Sequence, residues 1–235
     1  MPVYRIAQLN ININPLYPQT AKRLEPFLSG SAKADFDASA NYAEIAEYVS
    51  KQEPPCAEYL AEGAIILTKI CKTVLSRFDG CFFHSSSLMM DGKAYVFTAL
   101  SGTGKSTHTA LWRKKFGGRV TMINDDKPLI RKIDGKYLVC STPWMGKSEI
   151  GTNIDVPVKA IYVLERGTTN KAERVSVSRV FRQLLEATLL PENTEDMKKL
   201  LGLFDGLFSS VPLFLLSCNT DVQAAQVAYD AANKE

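Results

Sequence analysis

The sequence lacks any long uninterrupted run of apolar residues. Its most apolar helical stretch, residues 63–70, is broken by Lys69 and followed by Lys72, whereas a helix that crosses a bilayer needs about 20 apolar residues. The opening residues, Met-Pro-Val-Tyr-Arg, lead into an alternating segment and not into the apolar core of a signal peptide. We therefore expect a cytoplasmic protein that does not associate with membranes.

Charge of one sign and paired cysteines are also scarce. The 28 basic and 25 acidic residues give a net charge of +3, too small a surplus for a nucleic-acid binder, which shows a strong basic patch. The Arg-Lys-Lys run at residues 113–115 is typical of a solvated helix face. The 5 cysteines are scattered, with no CxxC pair, which favours reduced thiols in a cytoplasmic protein.

The 235 residues, 46% of them hydrophobic, suffice for one substantial core or for a main domain with a small appendage. Alternation of apolar and polar residues over residues 3–13 predicts a strand, and a short helix is predicted over residues 41–50. A Pro-Pro break at residues 54–55 then separates a small N-terminal lobe, residues 1–54, from a larger domain, residues 55–235. The lobe is not expected to fold alone.

In the larger domain, apolar residues at three- and four-residue spacing predict a helix over residues 56–77. Residues 81–166 are predicted as strands, with one helix after a glycine-rich loop. The remaining residues are predicted as helices around one strand, residues 211–218.

The glycine-rich loop, residues 99–107, reads Ala-Leu-Ser-Gly-Thr-Gly-Lys-Ser-Thr. It fits the Walker A pattern, except that Ala99 replaces the usual first glycine, and it has the required context, a β-rich run before it and a helical run after it. Glycines let successive N–H groups point at phosphate oxygens, and the helix dipole adds to the attraction. A glycine-rich turn with a chance lysine is the disfavoured alternative.

This loop predicts binding of ATP and Mg²⁺. Lys105 is expected to reach the β- and γ-phosphates, and the Ser106 hydroxyl to bind Mg²⁺. The predicted nucleotide-binding residues are Ser101, Gly102, Thr103, Gly104, Lys105, Ser106 and Thr107.

A histidine precedes the loop on a predicted hairpin. Asp91-Gly92 is a strong two-residue turn, which pairs Met90 with Lys93 and sets His84 opposite Ala99, at the edge of the predicted phosphate site. A β-bulge would shift this register by one residue, and a core histidine bonded to backbone is the alternative. The second histidine, His108, is expected to be structural.

Two adjacent carboxylates, Asp125 and Asp126, end a β-rich run about twenty residues after the loop. One can bind Mg²⁺ while the other accepts the proton of an attacking hydroxyl. Adjacent carboxylates repel each other and need a nearby cation. A plain turn is the alternative, and the residues alone do not decide which aspartate is the base.

Three later residues are candidates for substrate contacts. Trp144 could stack on a flat ligand or be a buried anchor. Lys147 or Arg166 could neutralise charge in the transition state, or be surface charges.

Together these motifs resemble the HPr kinase and phosphoenolpyruvate carboxykinase superfamily over roughly residues 80–166. His-Ser-Ser-Ser at residues 84–87 is similar to the carboxykinases' His-Cys-Ser-Ala. Residues 99–107 resemble their Gly-Leu-Ser-Gly-Thr-Gly-Lys-Thr-Thr, and Asn-Asp-Asp at residues 124–126 resembles their Gly-Asp-Asp and the Ala-Asp-Asp of HPr kinases. The resemblance implies an α/β fold, a mixed β-sheet P-loop kinase core with flanking helices.

The resemblance also implies roles for single residues. It makes Asp125 a base or proton relay, Asp126 a metal ligand, and His84 a metal ligand or a base at the phosphate site. Lys105 is a predicted catalytic residue because of its place in the loop. Imidazole with carboxylate would suit Mn²⁺ as well as Mg²⁺.

The sequence departs from both branches of the superfamily. At 235 residues it is less than half the length of a carboxykinase. Where HPr kinases carry Glu-Ile-Arg-Gly-Leu-Gly-Ile, residues 144–151 read Trp-Met-Gly-Lys-Ser-Glu-Ile-Gly. We therefore expect an ATP-dependent kinase acting on a small-molecule hydroxyl or carboxylate.

Two other functions stay open. One is a protein serine kinase or phosphorylase acting on HPr or a similar protein. The other is a non-catalytic nucleotide sensor, which would keep Lys105 and Ser106 but would not need Asp125. The oligomeric state is also open, a homo-oligomer included.

Overall fold

The computed structural model describes residues 2–234. The strands in chain order are β1 (Val3–Ile6), β2 (Leu9–Asn12), β3 (Phe36–Asp37), β4 (Gly80–Phe82), β5 (Ser86–Met90), β6 (Lys93–Thr98), β7 (Val120–Asn124), β8 (Leu129–Ile133), β9 (Lys136–Cys140), β10 (Asp155–Arg166), β11 (Lys171–Arg174) and β12 (Leu213–Cys218). The α-helices are α1 (Pro18–Leu24), α2 (Tyr42–Ser50), α3 (Glu58–Arg77), α4 (Lys105–Phe116), α5 (Val177–Glu186), α6 (Thr194–Ser210) and α7 (Gln223–Asn233).

The larger sheet is mixed, and its long strand β10 connects an antiparallel part to a part that contains parallel strands. Its strands lie in the order β4-β8-β9-β10-β6-β5-β7, with β12 paired to β10 and β11 paired to β12. The first residues of β10 pair antiparallel with β9, and its later residues run parallel to β6 and β12. The predicted α/β class with a mixed sheet is therefore confirmed at this level.

Helices cover both faces of this sheet. Leu184 of α5 and Leu207 of α6 belong to one apolar cluster, and Trp112 of α4 and Ala228 of α7 belong to another. Apolar side chains of each helix are thereby removed from water, which is the main favourable term in folding. Within residues 2–234, no helix is both long and apolar enough to cross a membrane.

The N-terminal lobe shares its core with the larger domain. Ile6 and Ile11 from the small sheet β1-β2-β3 pack in one cluster with Ile66 of α3 and Leu129 of β8. The buried Arg131 of β8 crosses the same boundary, because its guanidinium donates to the carbonyls of Ala7 and Phe78. A domain boundary at residue 54 stays a prediction.

Two local predictions need correction. The predicted single strand over residues 3–13 is an antiparallel hairpin, β1-β2, which turns at Ala7 and Gln8 with φ of 52° and 60°. Positive φ is uncommon outside glycine, asparagine and aspartate, so no local residue pattern indicated this turn. The edge strand β11 was not predicted either. It forms because residues 171–174 pair with β12.

Candidate functional site

The glycine loop, residues 99–104, connects β6 to α4 as the sequence predicted. Gly102 and Gly104 have φ of +78° and +121°, backbone conformations that other residues rarely adopt. Gly104 caps α4 without a side-chain hydrogen bond. The first N–H groups of α4 therefore have no side-chain acceptor there, an arrangement that favours an anion.

Lys105 is almost fully buried at the start of α4, and its Nζ lies 3.3 Å from the carbonyl oxygen of Ala99. Burial lowers the pKa of Lys105, and the nearby negative charges of Asp126 and Asp125 oppose that shift. Ser106 and Thr107 are exposed beside it. The structure thus brings the predicted lysine close to the predicted carboxylates.

Arg166 reaches the glycine loop from a neighbouring strand. Because β10 runs parallel to β6, with Val163 opposite Thr98, the C-terminal ends of both strands meet at the loop. Arg166 Nη2 donates to the carbonyl of Gly102 over 2.8 Å. Of the three candidate substrate residues, Arg166 is the one placed directly against the loop.

The predicted hairpin register is confirmed within β5 and β6. Met90 pairs with Lys93, and Ser86 pairs with Phe97. His84 lies just before β5, where its carbonyl accepts a hydrogen bond from Thr98 Oγ1. The imidazole is 31% exposed and its Nε2 is 3.0 Å from Asp126 Oδ1, so His84 is not a core histidine bonded only to backbone.

The other histidine, His108, is structural. It is buried, and its Nε2 accepts a hydrogen bond from Trp112 Nε1 over 3.1 Å. Burial lowers the pKa of His108 to about 4, so the ring is neutral at pH 7.

Asn124 shapes the turn that presents the two aspartates. Its buried Oδ1 accepts hydrogen bonds from the N–H groups of Asp126 and Lys127, and its Nδ2 donates to the carbonyl of Thr142. Asparagine suits this place because its side chain can bond the backbone a few residues on. A turn, which was the alternative to a functional pair, is therefore present and carries both carboxylates, and the functional roles of the two aspartates stay predictions.

Asp126 is paired with two cationic or potentially cationic groups. His84 bonds its Oδ1, and Lys127 Nζ lies 2.5 Å from its Oδ2. Burial alone would raise the pKa of Asp126, but the hydrogen bonds from His84 and Lys127 outweigh burial and hold the pKa at about 2. No pattern in the sequence predicted that Lys127 would pair with Asp126.

Among the described residues, Asp125 accepts hydrogen bonds from two hydroxyl groups and forms no ion pair. Ser86 Oγ lies 2.5 Å from its Oδ1, and Ser148 Oγ lies 2.6 Å from its Oδ2. Ser86 Oγ is also 2.8 Å from Thr109 Oγ1 on α4. Ser86 belongs to the His-Ser-Ser-Ser motif of residues 84–87. Ser148 is 23 residues from Asp125, and no motif in the sequence predicted that it would contact the site.

The cover segment, residues 145–151, lies against both aspartates. Gly146 packs so closely on Asp126 that an added Cβ would be 2.9 Å from Asp126 Cβ. The segment is held at its end by a bridge between Gly151 and Asn124. It therefore positions Ser148 on one carboxylate and Gly146 on the other.

The remaining candidates lie in or beside this segment. Trp144 is only 6% exposed and packs in the core of the N-terminal lobe. Its burial agrees with the alternative that Trp144 is a buried anchor, and it leaves no ring face open to a flat ligand. Lys147 is exposed between Gly146 and Ser148 and is a charge at the edge of the site.

The donor set is compatible with Mg²⁺. Among residues 2–234, no group of three or more His, Cys, Asp or Glu side chains could hold a metal ion. Mg²⁺ is usually bound by one or two protein carboxylates, with phosphate oxygens and water as its other ligands. Asp126 and the exposed Ser106 suit that pattern, and Asp126 with His84 would also suit Mn²⁺.

Comparisons with known proteins give little further guidance. No protein-family model matches the chain, and no curated protein matches it. A solved structure, the Hpr(Ser) kinase/phosphatase from Coxiella burnetii, is similar with a TM-score of 0.36 and 10% sequence identity, over 64% of this chain and 89% of that chain. A similarity of this extent does not establish a family or an activity.

The cover segment yields a first prediction, for Gly146→Ala. The new Cβ would displace Asp126, so any activity that depends on Asp126 should fall about 10- to 100-fold, since small misplacements of reacting groups cost rate. The positive φ of +70° should also lower the free energy of unfolding by about 1–2 kcal/mol. Initial rates and denaturant unfolding measure the two effects.

Gly135→Ala is the matched control. Gly135 has a φ of +76° but no atom within 4 Å of an added Cβ, so it reproduces the backbone strain alone. Equal activity in the two variants would contradict a role for Gly146 in positioning Asp126.

Proposed function

We propose that this chain is an ATP-dependent phosphotransferase that moves the γ-phosphoryl group to a hydroxyl or carboxylate of a small molecule. The observation that carries the proposal is that the charges of Asp125 and Asp126 act on Lys105, and that Asp125 is joined to α4 through Ser86 and Thr109. Phosphoryl transfer depends mainly on positioning and on charge stabilisation, and these residues supply both. The motif resemblance over residues 80–166 supports the same conclusion.

Each group has a distinct part in this proposal. The glycine loop and the N-terminus of α4 bind the phosphates through N–H groups, and Lys105 neutralises their charge. Asp126 and Ser106, with His84 as a further candidate, would hold Mg²⁺ or Mn²⁺, which supplies positive charge at the phosphates when bound. Asp125 accepts the proton of the acceptor hydroxyl, since its carboxylate already accepts hydrogen bonds from two hydroxyl groups.

Arg166 and Lys147 are the proposed cations at the edge of the site. Arg166 contacts the glycine loop, where its positive charge would stabilise the negative charge of the phosphates. An HPr-like protein as acceptor is the alternative, and acceptor screening decides between the two.

The proposal is tested by ADP release from ATP with Mg²⁺ or Mn²⁺, across a panel of hydroxyl and carboxylate metabolites and purified HPr. Acceptor-dependent ADP with a metabolite supports the proposal. ADP release with HPr alone would favour the protein kinase. Tight ATP binding with no turnover on any acceptor would favour a sensor.

The second prediction concerns the phosphate contact of Lys105. Lys105→Ala should weaken ATP binding about 10- to 100-fold, because a hydrogen bond to a charged group contributes about 1.5–3 kcal/mol. Titration calorimetry measures the dissociation constant. Lys114→Ala, which removes an exposed charge from the same helix, should bind as wild type does. Equal affinities in both variants would argue against a phosphate contact of Lys105.

A further inference from the structure

The hydroxyl of Ser148 lies where an acceptor hydroxyl would have to lie. Its Oγ is 2.6 Å from Asp125 Oδ2 and 3.3 Å from the carbonyl oxygen of Met145. A hydroxyl has one proton, and the shorter bond to an ionised acceptor is the stronger one. The Ser148 proton therefore points at the carboxylate proposed as the base.

Ser86 bonds the other oxygen of Asp125 but is a different kind of residue. It is fully buried and also contacts Thr109, so no second substrate can approach its Oγ. Ser148 is exposed, as are its neighbours Lys147 and Glu149. Of the two hydroxyls on Asp125, only that of Ser148 is open to a reagent from solvent.

A chain of hydrogen bonds joins Ser148 to the proposed phosphate site. Ser148 bonds Asp125, Asp125 bonds Ser86, and Ser86 bonds Thr109. Thr109 Oγ1 lies 3.2 Å from the carbonyl oxygen of Ser106 in the first turn of α4. Ser148 is thus tied to the same helix end that carries Lys105.

We propose that Ser148 occupies the acceptor position of the free chain and is phosphorylated by the same chain when no other acceptor is present. This inference rests on the proposed phosphotransferase function and identifies an alcohol as the acceptor group. The Ser148 Oγ–phosphorus bond forms, and the bond from the γ-phosphorus to the β–γ bridging oxygen of ATP breaks. ADP leaves with that electron pair, and the Ser148 proton goes to Asp125.

Two consequences follow from this placement. An alcohol substrate must displace Ser148 from Asp125, so saturating acceptor should suppress phosphorylation of Ser148. A phosphate on Ser148 would lie beside the Asp125 carboxylate, and repulsion between like charges would move the cover segment away from Asp125.

The third prediction is therefore a phosphate on Ser148. The purified full chain is incubated with ATP and Mg²⁺ without acceptor, and its peptides are mapped by mass spectrometry. We expect phosphate at Ser148 in the wild type and in Ser209→Ala, which removes another exposed serine. Ser148→Ala should contain none, and Asp125→Asn should contain about 100-fold less, the typical minimum for loss of a general base.

A mixing experiment tests whether the reaction occurs within one chain. Tagged Asp125→Asn is incubated with untagged wild type and ATP, and the first-order rate is measured at several protein concentrations. The inference is supported if the tagged chain carries no phosphate on Ser148 and if the rate of Ser148 phosphorylation in the wild type is independent of protein concentration. Phosphate on Ser148 of the tagged chain would overturn it, because the donor would then be a second molecule.

The proposed function and this inference fail in different ways. ATP binding and acceptor-dependent ADP release without phosphate on Ser148 would overturn the inference and leave the phosphotransferase intact. Absence of ATP binding would overturn both. Titration calorimetry on the same protein sample separates these results.

Discussion

Asp125→Asn should lower acceptor-dependent ADP release by about 100- to 10,000-fold, the range that a positioned general base contributes. Asparagine has nearly the same shape but cannot take the acceptor proton. Its carbonyl oxygen can still accept one of the hydrogen bonds from Ser86 and Ser148, so the site should keep its form. The loss should fall on kcat, measured by steady-state kinetics with saturating ATP.

ATP affinity separates this effect from misfolding. No hydrogen bond joins Asp125 to the described residues of the glycine loop, so calorimetry should give a dissociation constant close to that of the wild type. Asp134→Asn, in the exposed turn between β8 and β9, removes the same charge away from the site and should be fully active. Undiminished turnover in Asp125→Asn would exclude Asp125 as the base.

The geometry is the reason for choosing Asp125 over Asp126. Asp125 accepts hydrogen bonds from the hydroxyl groups of two serines, the arrangement that an acceptor alcohol would reproduce. Asp126 is ion-paired with Lys127 and contacts His84, and positive neighbours suit a carboxylate that must stay ionised. The two adjacent carboxylates thus lie in different environments, as a division of work requires.

Trp112→Ala should destabilise the protein by about 3–5 kcal/mol, the usual cost of removing a large buried aromatic side chain. The Trp112 ring is fully buried, with ring centroids of Tyr95, Phe97 and Phe116 at 4.8, 5.6 and 5.2 Å. No nearby side chain can fill the space, because the neighbouring rings are themselves packed in the same cluster. Unfolding in urea, followed by fluorescence and circular dichroism, measures the change.

Leu201→Ala is the control for this measurement. Leu201 is 42% exposed on α6, so its truncation should cost well under 1 kcal/mol, as exposed substitutions do. Trp112→Phe should fall between the two, since it keeps a ring but removes the hydrogen bond to His108. A Trp112→Ala protein as stable as Leu201→Ala would show that this cluster does not anchor α4.

Anchoring of α4 connects stability to function. Trp112 is two turns along the helix from Lys105, and both lie on buried positions of α4. Helices shift when their core contacts are lost, and a displaced α4 would move Lys105 from the carboxylates. The proposed site therefore depends on an aromatic cluster whose member Phe97 pairs with Ser86 of the site.

Features that depend on neighbouring residues could be predicted from the amino-acid sequence. Asp91-Gly92 has positive φ at both positions, which fixes the two-residue turn and with it the register that brings His84 toward the glycine loop. The capping box of Asn41 and Glu44 begins α2 where the short helix was predicted. In the same way, periodic apolar residues predicted α3, and the two glycines predicted the shape of the loop.

Contacts between residues far apart in the chain depend instead on the fold. Ser148 reaches Asp125 because the cover segment is held by Asn124 and packs on Asp126, and Arg166 reaches the loop because β10 runs beside β6. Trp144 is buried because the N-terminal lobe packs over it. Local propensity depends on spacing along the chain, whereas these contacts depend on strand order and on packing between segments far apart in sequence, which spacing does not encode.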